Sequence, residues 1–328
     1  NQYSLSSDGD VVPRATSAAT VISADGNNET GYDDARSAAQ ALTDGETLVL
    51  NEDYTGEWGL TIKATNVTID LNGHSVTSQK LSTVASNGYA IKVEKPSTGV
   101  ANHTLTIKNS AQTQSVLSSS AYQVTASSGD SRYAVTVVFE GDIAFRSTQG
   151  EDALGVNLGP GARIADGELA RSAVANGGFL ASASDGSSYI YGSYANAAAA
   201  SADATVTMLH DYTGTAQINS GDHEAVLDLG GHTYTYTGGD AIAEVNYDGA
   251  SLTIKNGALT TTSDSADGVV MLYSNSALAL DGVEVEVPKG SYGIVTNGQE
   301  TNNAITLRNS ELTVTEGAGI YFPSTGSV

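Results

Sequence analysis

Residues 35–74 read ARSAAQALTDGETLVLNEDYTGEWGLTIKATNVTIDLNGH, and residues 193–232 read SYANAAAASADATVTMLHDYTGTAQINSGDHEAVLDLGGH. Laid over each other at a constant shift of 158 with no gap, they agree at eleven of forty positions, where chance gives ~3, so the chain carries an internal duplication. The agreement includes Asp53-Tyr54-Thr55-Gly56 against Asp211-Tyr212-Thr213-Gly214, and Asp70-Leu71-x-Gly73-His74 against Asp228-Leu229-x-Gly231-His232. Downstream, Leu105-Thr106-Ile107-Lys108-Asn109 recurs as Leu252-Thr253-Ile254-Lys255-Asn256 at a shift of 147. The first copy therefore holds about eleven extra residues near 75–104, an insertion expected in a loop.

Each copy opens in the same order, with an apolar strand, a Gly/Asp/Asn turn, a Tyr, an alanine-rich stretch and an alternating strand. The copies begin at Val21 and Phe179. Asp33 or Asp34 can cap a helix running to about Leu42, with Ala35, Ala38, Ala39 and Leu42 on one stripe, and the second helix reads Ala195 to Ala202. A helix ahead of a stack of strands is expected as an end cap, because a terminal coil otherwise exposes core and unpaired strand edge. The organisation expected is an N-terminal segment or linker over 1–20, a first module over 21–178 and a second over 179–328. An excursion from one continuous solenoid is the alternative reading of the second helix.

A shorter beat runs inside the second copy. Ala241-Ile242, Gly268-Val269, Gly293-Ile294 and Gly319-Ile320 recur at spacings of 27, 25 and 26, each followed by a second apolar column at Leu252–Asn256, Leu278–Gly282 and Ile305–Asn309. One coil then takes about 26 residues, enough for three short strands. The first copy keeps the beat less cleanly, through Leu105-Thr-Ile, Val135-Thr-Val-Val and Ala162-Arg-Ile. The fold class expected is all-β, a right-handed parallel β-helix in two tandem modules, each opening with a short capping helix. The residues that end the second strand, Asn109, Glu140, Asp166, Asn256, Asp281 and Asn309, read as a structural turn column. Asn and Asp tolerate the left-handed region and can hydrogen-bond one another up a stack. A row of carboxylates for a metal ion is the functional alternative.

Composition bounds the function. In 328 residues, 37 Asp and Glu against 14 Lys and Arg give a net charge of -23, which repels nucleic acid and anionic membrane. The 36 Gly, with many Ser, Thr and Asn, suit short strands and tight turns. With no Cys there is neither a disulfide framework nor a thiolate metal site. No apolar run approaches the roughly 18 residues that span a bilayer, so membrane insertion of this segment is not expected. The ends at Asn1 and Val328 leave room for a signal peptide or a wall anchor beyond them.

The run from Tyr32 through Ala35-Arg-Ser-Ala-Ala-Gln-Ala-Leu42-Thr-Asp-Gly45-Glu-Thr-Leu-Val-Leu50 to Val67-Thr-Ile-Asp-Leu-Asn-Gly-His74 resembles pectin-lyase-like β-helix proteins displayed by Gram-positive bacteria. The resemblance spans roughly 21–328, although Asp-Gly-Glu-Thr has become Ala202-Asp-Ala-Thr205 in the second copy. It implies a secreted or wall-attached adhesin module and says little of activity, since one fold hosts many functions. The paired-aspartate and Gly-His-Gly signatures of the lyases and polygalacturonases that share that fold do not occur, because Gly73-His74 and Gly231-His232 are followed by Ser75 and Thr233.

Several residue sets have chemistry to offer. Asp70 with His74 and Asp228 with His232 flank a turn and could each orient an imidazole. Their recurrence at one place in both copies favours a turn-closing hydrogen bond. His103, His210 and His223 lack metal-ligand spacing, so no zinc site is expected. An enzyme of this fold would need carboxylates and a basic residue together, and the ingredients cluster over 130–172: Arg163, Glu140, Asp166 and Asp152, with Arg132, Arg146, Arg171, Asp142, Glu151 and Glu168 around them. Surface ion pairs explain the same residues. Asp264-Ser-Ala-Asp267-Gly268 has the start of a calcium loop without its later Glu, and reads as a turn.

Aromatic residues favour binding over catalysis. Sixteen Tyr stand against four Phe and one Trp, and Tyr can sit half-exposed with a wet hydroxyl. Tyr234 and Tyr236 lie two apart on an extended segment and share a face, which could stack on a sugar or grip a partner, with packing between coils as the commoner use. Trp58 faces Ala216 in the other copy, which marks it as a divergent, candidate binding position. The function expected is a non-enzymatic extracellular scaffold that binds a glycan or a host or matrix protein, with no cofactor beyond a possible Ca²⁺. A polysaccharide lyase or glycoside hydrolase and a plain structural stalk are the alternatives.

Overall fold

The computed structural model describes residues 3–5, 11–13, 17–82, 87–94, 102–129, 134–150, 153–221, 224–262, 268–273, 275–287, 291–297 and 302–322. The chain is mostly β with parallel many-stranded sheets, and it divides into two compact units, Asn1–Gly161 and Ala162–Val328. This boundary precedes the one expected at 178/179. Strand Ala162–Ala165, which pairs antiparallel with Ser188–Tyr191, falls in the second unit.

In the first unit the strands fall into three parallel sets. The first holds Thr47–Leu50, Val67–Asp70, Asn102–Lys108 and Ala134–Glu140. The second holds Tyr54–Gly56, Val76–Ser78, Ser115–Ser119 and Ile143–Ser147, and the third Leu60–Ile62, Tyr89–Val93, Tyr122–Ala126 and Val156–Leu158. Along the chain the sets are visited in rotation, so every strand pairs with the one three places on. Alternation places Leu48, Leu50, Ile69, Leu105, Ile107 and Val137 in the core and Thr47, Thr68 and Thr106 outside.

The second unit repeats the plan. Thr205–Met208, Glu224–Asp228, the first halves of Ser251–Thr261 and Ala277–Val287, and Ala304–Arg308 form one set. The second halves of the two long strands pair with Thr233–Tyr236 and Glu311–Val314, and Asn256 at φ 57 and Gly282 at φ 67 turn the corner between halves. A third sheet runs Ile218–Asn219, Ala243–Val245, Val270–Leu272, Ser291–Thr296 and Gly317–Tyr321. One tier of three strands takes 26 or 27 residues here, as Leu252 beside Leu278 and Leu278 beside Ile305 show. The first unit is less regular, because Val67 lies beside Leu105 and Leu105 beside Val137. Much of its inserted sequence, 83–86 and 95–101, lies outside the described residues.

Both units open alike. Ala19–Ile22 pairs antiparallel with Glu29–Tyr32 on one side and Thr47–Leu50 on the other, and Phe179–Ser182 does the same with Ser188–Tyr191 and Thr205–Met208. Helix Ala35–Ala41 is capped by Asp34, whose carboxylate accepts from the Ser37 N–H at 2.8 Å, and it buries Ala35, Ala38 and Ala39. Helix Tyr194–Ala200 is capped by Ser193 through the Asn196 N–H and buries Tyr194 and Ala197. It starts one residue earlier and ends two earlier than its alanine run suggests, because the buried Tyr194 belongs to it. A third helix, Glu168–Ser172, was not foreseen.

One inward position of the first unit is polar and titratable. His103, 4% exposed, follows the same alternation as Leu105 and Ile107, and its Nδ1 has no hydrogen-bond partner among the described residues. Burial holds its pKa below the ordinary 6.5, against the opposing pull of Asp44. The unfolded chain therefore takes up this proton first, so stability is intact above pH 6.5 and falls as the pH drops from there through the lower folded-state value. Urea unfolding between pH 7.5 and 5.5 should show this loss, and His103→Leu should flatten it. An unchanged slope in the variant would place the sensitivity elsewhere.

Candidate functional site

The duplicated motifs build one turn twice. In the first unit the Asp53 carboxylate accepts from the Ser75 N–H at 2.9 Å and lies 3.4 Å from His74 Nδ1. In the second, Asp211 accepts from the Thr233 N–H at 2.9 Å and lies 3.4 Å from His232 Nδ1. The imidazole partner is thus the Asp of the Asp-Tyr-Thr-Gly motif, one tier away, and not the Asp four residues before the His. This corrects the pairing of Asp70 with His74 and of Asp228 with His232, because both of those carboxylates are turned to other groups. Asp70 accepts from the N–H groups of Asn72 at 3.0 Å and Ser110 at 3.1 Å, with Lys108 Nζ at 3.4 Å. Asp228 meets the Gly230 N–H at 3.0 Å, the Asn256 amide at 3.1 Å and Lys255 Nζ at 3.4 Å. Burial opposes the charge on Asp228, and these three donors outweigh it and hold the carboxyl below its usual range.

The Tyr-Thr-Gly part of the motif has a steric reason. The Tyr54 ring folds back so that its hydroxyl donates to the Trp58 carbonyl at 2.7 Å, and a β-carbon at Gly56 would strike the phenol oxygen. Tyr212 makes the same fold over Gly214, with its hydroxyl accepting from the Ala216 N–H at 3.1 Å. Tyr236 and Gly238 repeat the arrangement without being part of the duplicated motif.

Tyr234 and Tyr236 do not form a surface. They share a face, but it is the inner one: Tyr234 is 0% and Tyr236 2% exposed. The Tyr234 ring lies tilted against Tyr212 with centres 4.4 Å apart, Tyr212 meets Phe179 edge-on at 5.8 Å, and the Tyr234 hydroxyl donates to the Ala216 carbonyl at 2.7 Å. The alternation read from the segment was right; its inward direction follows from the apolar columns of Leu259 and Val285 with which Tyr234 is in register. Burial pushes the phenol pKa of Tyr234 upward and that of Tyr194 to about 12.

Three of the six turn-column residues sit at the corner, Glu140 and Asp281 lie one place before it, and Asp166 lies outside it. Glu140 pairs with Lys108 and Asp281 with Lys255 and Arg308, so both belong to a charged outer column at the end of the strand. The corner itself carries Asn109, Asn256 and Asn309, with Gly141 and Gly282 at the places one residue beyond Glu140 and Asp281. Asn256, Asn309, Gly141 and Gly282 all have φ between 48 and 82. Asn and Gly solve the same left-handed corner by different means. Asn109 is the most engaged: its amide donates to the Thr113 and Asp142 carbonyls at 2.7 and 2.8 Å, and its Oδ1 accepts from the Gly73 N–H at 2.9 Å. Asn309 reaches Asp281 at 3.4 Å. A second ladder was missed, in which Asn302 donates to Asn275 at 3.0 Å and Asn275 to Asp248. Its signal was the Asn or Asp shortly before Leu252, Leu278 and Ile305.

Of the residues that an enzyme would need, Asp152 lies outside the described residues, as do Arg132, Glu151, His223, Asp264 and Asp267. Asp166 leaves the turn column altogether, since Gly167 and helix Glu168–Ser172 follow it. Arg171 grips it with two bonds of 2.7 Å, which holds its carboxyl below the usual range despite burial. The Arg163 guanidinium lies 3.6 Å from the centre of the Tyr189 ring. Glu140 is an exposed outer-column residue of the first unit. Among the described residues no group of three or more His, Asp or Glu is arranged to hold a metal ion.

Trp58 stands at the surface, half-buried, beside Glu57. Lys80 Nζ sits 4.4 Å from the indole centre and 3.4 Å from Glu57 Oε1, and the neighbouring Leu81 is 70% exposed. Indole, ammonium, carboxylate and aliphatic side chain make a mixed patch on a turn whose backbone is fixed from beneath by Tyr54. Comparison of the chain with protein-family models, with curated proteins and with solved structures finds no match.

Two tyrosines separate packing from hydrogen bonding. The Tyr194 hydroxyl is buried with no partner among the described residues, whereas that of Tyr234 is bonded. Tyr194→Phe should leave stability unchanged or raise it, and Tyr234→Phe should lower it by about 1 kcal/mol, both read from denaturant unfolding. The reverse order would contradict the burial assignment.

Proposed function

We propose that the chain winds as a right-handed parallel β-helix in each unit and serves as a non-enzymatic extracellular binding scaffold, with the Trp58 patch as its contact for a glycan or a host or matrix protein. The rotation of consecutive strands through three parallel sets, in both units, supports the coil. The observation that carries the binding role is the contrast between copies. Trp58 and Ala216 occupy the same turn, and a tyrosine hydroxyl anchors the backbone of each, so the fold does not call for an indole there. A large aromatic that folding does not require, left partly exposed on a rigid turn, supports contact with a partner. The engagement of Asp166 by Arg171 and of Arg163 by Tyr189 weighs against the enzyme reading.

The same contrast supplies a clean variant. Trp58→Ala recreates the second unit's side chain at that turn, so its melting temperature should match the parent's within about 2 °C. On an array of glycans and matrix proteins the parent should bind saturably, and Trp58→Ala should weaken that binding about tenfold, as expected for loss of one aromatic anchor. Undiminished binding by the variant would remove Trp58 from the contact. A parent that binds nothing would leave a spacer or stalk.

A further inference from the structure

The second unit brings two imidazoles together at a corner where the first unit has one. His210 and His232 stand 22 residues apart in the chain, so no short motif announces them as a pair. The parallel register that sets Tyr212 beside Tyr234 places them one tier apart, with ring centres separated by 6.1 Å and planes tilted by 44°. At the place of His210 the first unit carries Glu52. The turn itself therefore does not call for a second imidazole.

Each ring is tied through one nitrogen to a group that can only accept. His210 Nε2 lies 2.6 Å from the Arg171 carbonyl oxygen, so Nε2 carries the proton. His232 Nδ1 lies 3.4 Å from the Asp211 carboxylate, which favours the proton on Nδ1, and Asp211 is itself held by the Thr233 N–H at 2.9 Å. In the neutral rings the lone pairs then sit on Nδ1 of His210 and Nε2 of His232. Neither atom has a hydrogen-bond partner among the described residues, and both side chains are only partly covered. A carbonyl or carboxylate behind the ring is the arrangement that orients a metal-binding histidine and raises the basicity of its other nitrogen.

We propose that His210 and His232 form a site for one divalent ion of the copper, nickel and zinc class, bound through Nδ1 of the first and Nε2 of the second, with water in the remaining positions. Two metal–nitrogen bonds of about 2.0–2.1 Å leave imidazole centres about 5 to 6.5 Å apart, and the observed separation falls in that range. Imidazole donors select these ions over Ca²⁺ and Mg²⁺, which take oxygen ligands. The net charge of -23 draws cations to the surface. Protons compete for the same two lone pairs, so the affinity falls on acidification.

Titration of the 328-residue chain with Cu²⁺ at neutral pH, followed by calorimetry and electron paramagnetic resonance, tests this. The expected result is one ion per chain, a Kd on the order of micromolar, and a spectrum with two imidazole nitrogens on the copper. His210→Gln should weaken binding at least about tenfold and remove one nitrogen from the spectrum, with circular dichroism unaltered. His74→Gln, which changes only the turn of the first unit, should leave both readings as in the parent. A chain that takes up no copper, or one whose uptake is undiminished in His210→Gln, would overturn the proposal. A parent spectrum without two imidazole nitrogens would overturn it whatever the variants do.

Discussion

Short parallel strands cannot satisfy their own backbone, and in the first unit the inner strands find their hydrogen-bond partners in the strands three places before and after them. Everything else follows from that constraint. Three to five residues of strand must repeat at the same place in every tier, so the apolar residues fall into columns and the outward ones into columns between them. The corner after the first-sheet strand recurs as well, with Asn256, Asn309, Gly141 and Gly282 in the left-handed region and Asn109 held by its side-chain bonds. The side-chain bonds of Asn109 and Asn256 then tie one corner to its neighbours. A slip by one residue would send the core columns to solvent, which explains why the register holds through tiers of unequal length.

The parts of this that could be read in the sequence are those written at a fixed spacing. Leu252, Leu278 and Ile305 announce their column because nothing is inserted between them, and the Asp33-Asp34 pair announces the first helix through local capping chemistry, whereas the Ser193 cap of the second emerges only from the structure. The positions misread are those where sequence neighbours and spatial neighbours part. His74 follows Asp70 closely in the chain, yet its partner is Asp53, because the tier brings the earlier turn beside it. Glu140 and Asp281 precede a Gly that takes the corner for them, so alignment by residue type set them one place off. The direction of Tyr234 and Tyr236 needed tertiary information, since alternation gives two faces without saying which is inside.

The two units share a skeleton and differ in dress. The Asp–His contacts, the Lys–Asp contacts and the Tyr-Thr-Gly turns occur in both, which assigns them to the skeleton. Against that background a residue present in only one unit stands out. Trp58 is such a residue, and so is His210, which stands where the first unit has Glu52 and meets the Arg171 carbonyl at 2.6 Å. Duplication thus supplies an internal control by which structural residues can be separated from those free to serve a partner.

The in-register parallel stack can be tested by cross-linking, because the chain has no cysteine. Thr68 and Thr106 are outward-facing register partners in the first unit, and neighbouring strands about 4.8 Å apart suit a disulfide. Thr68→Cys with Thr106→Cys should oxidise readily to an intramolecular disulfide, while Thr68→Cys with Ser118→Cys, which places the second thiol in a different sheet, should stay reduced under the same conditions. Failure of the first pair to close, or equal closure of both, would contradict the stack.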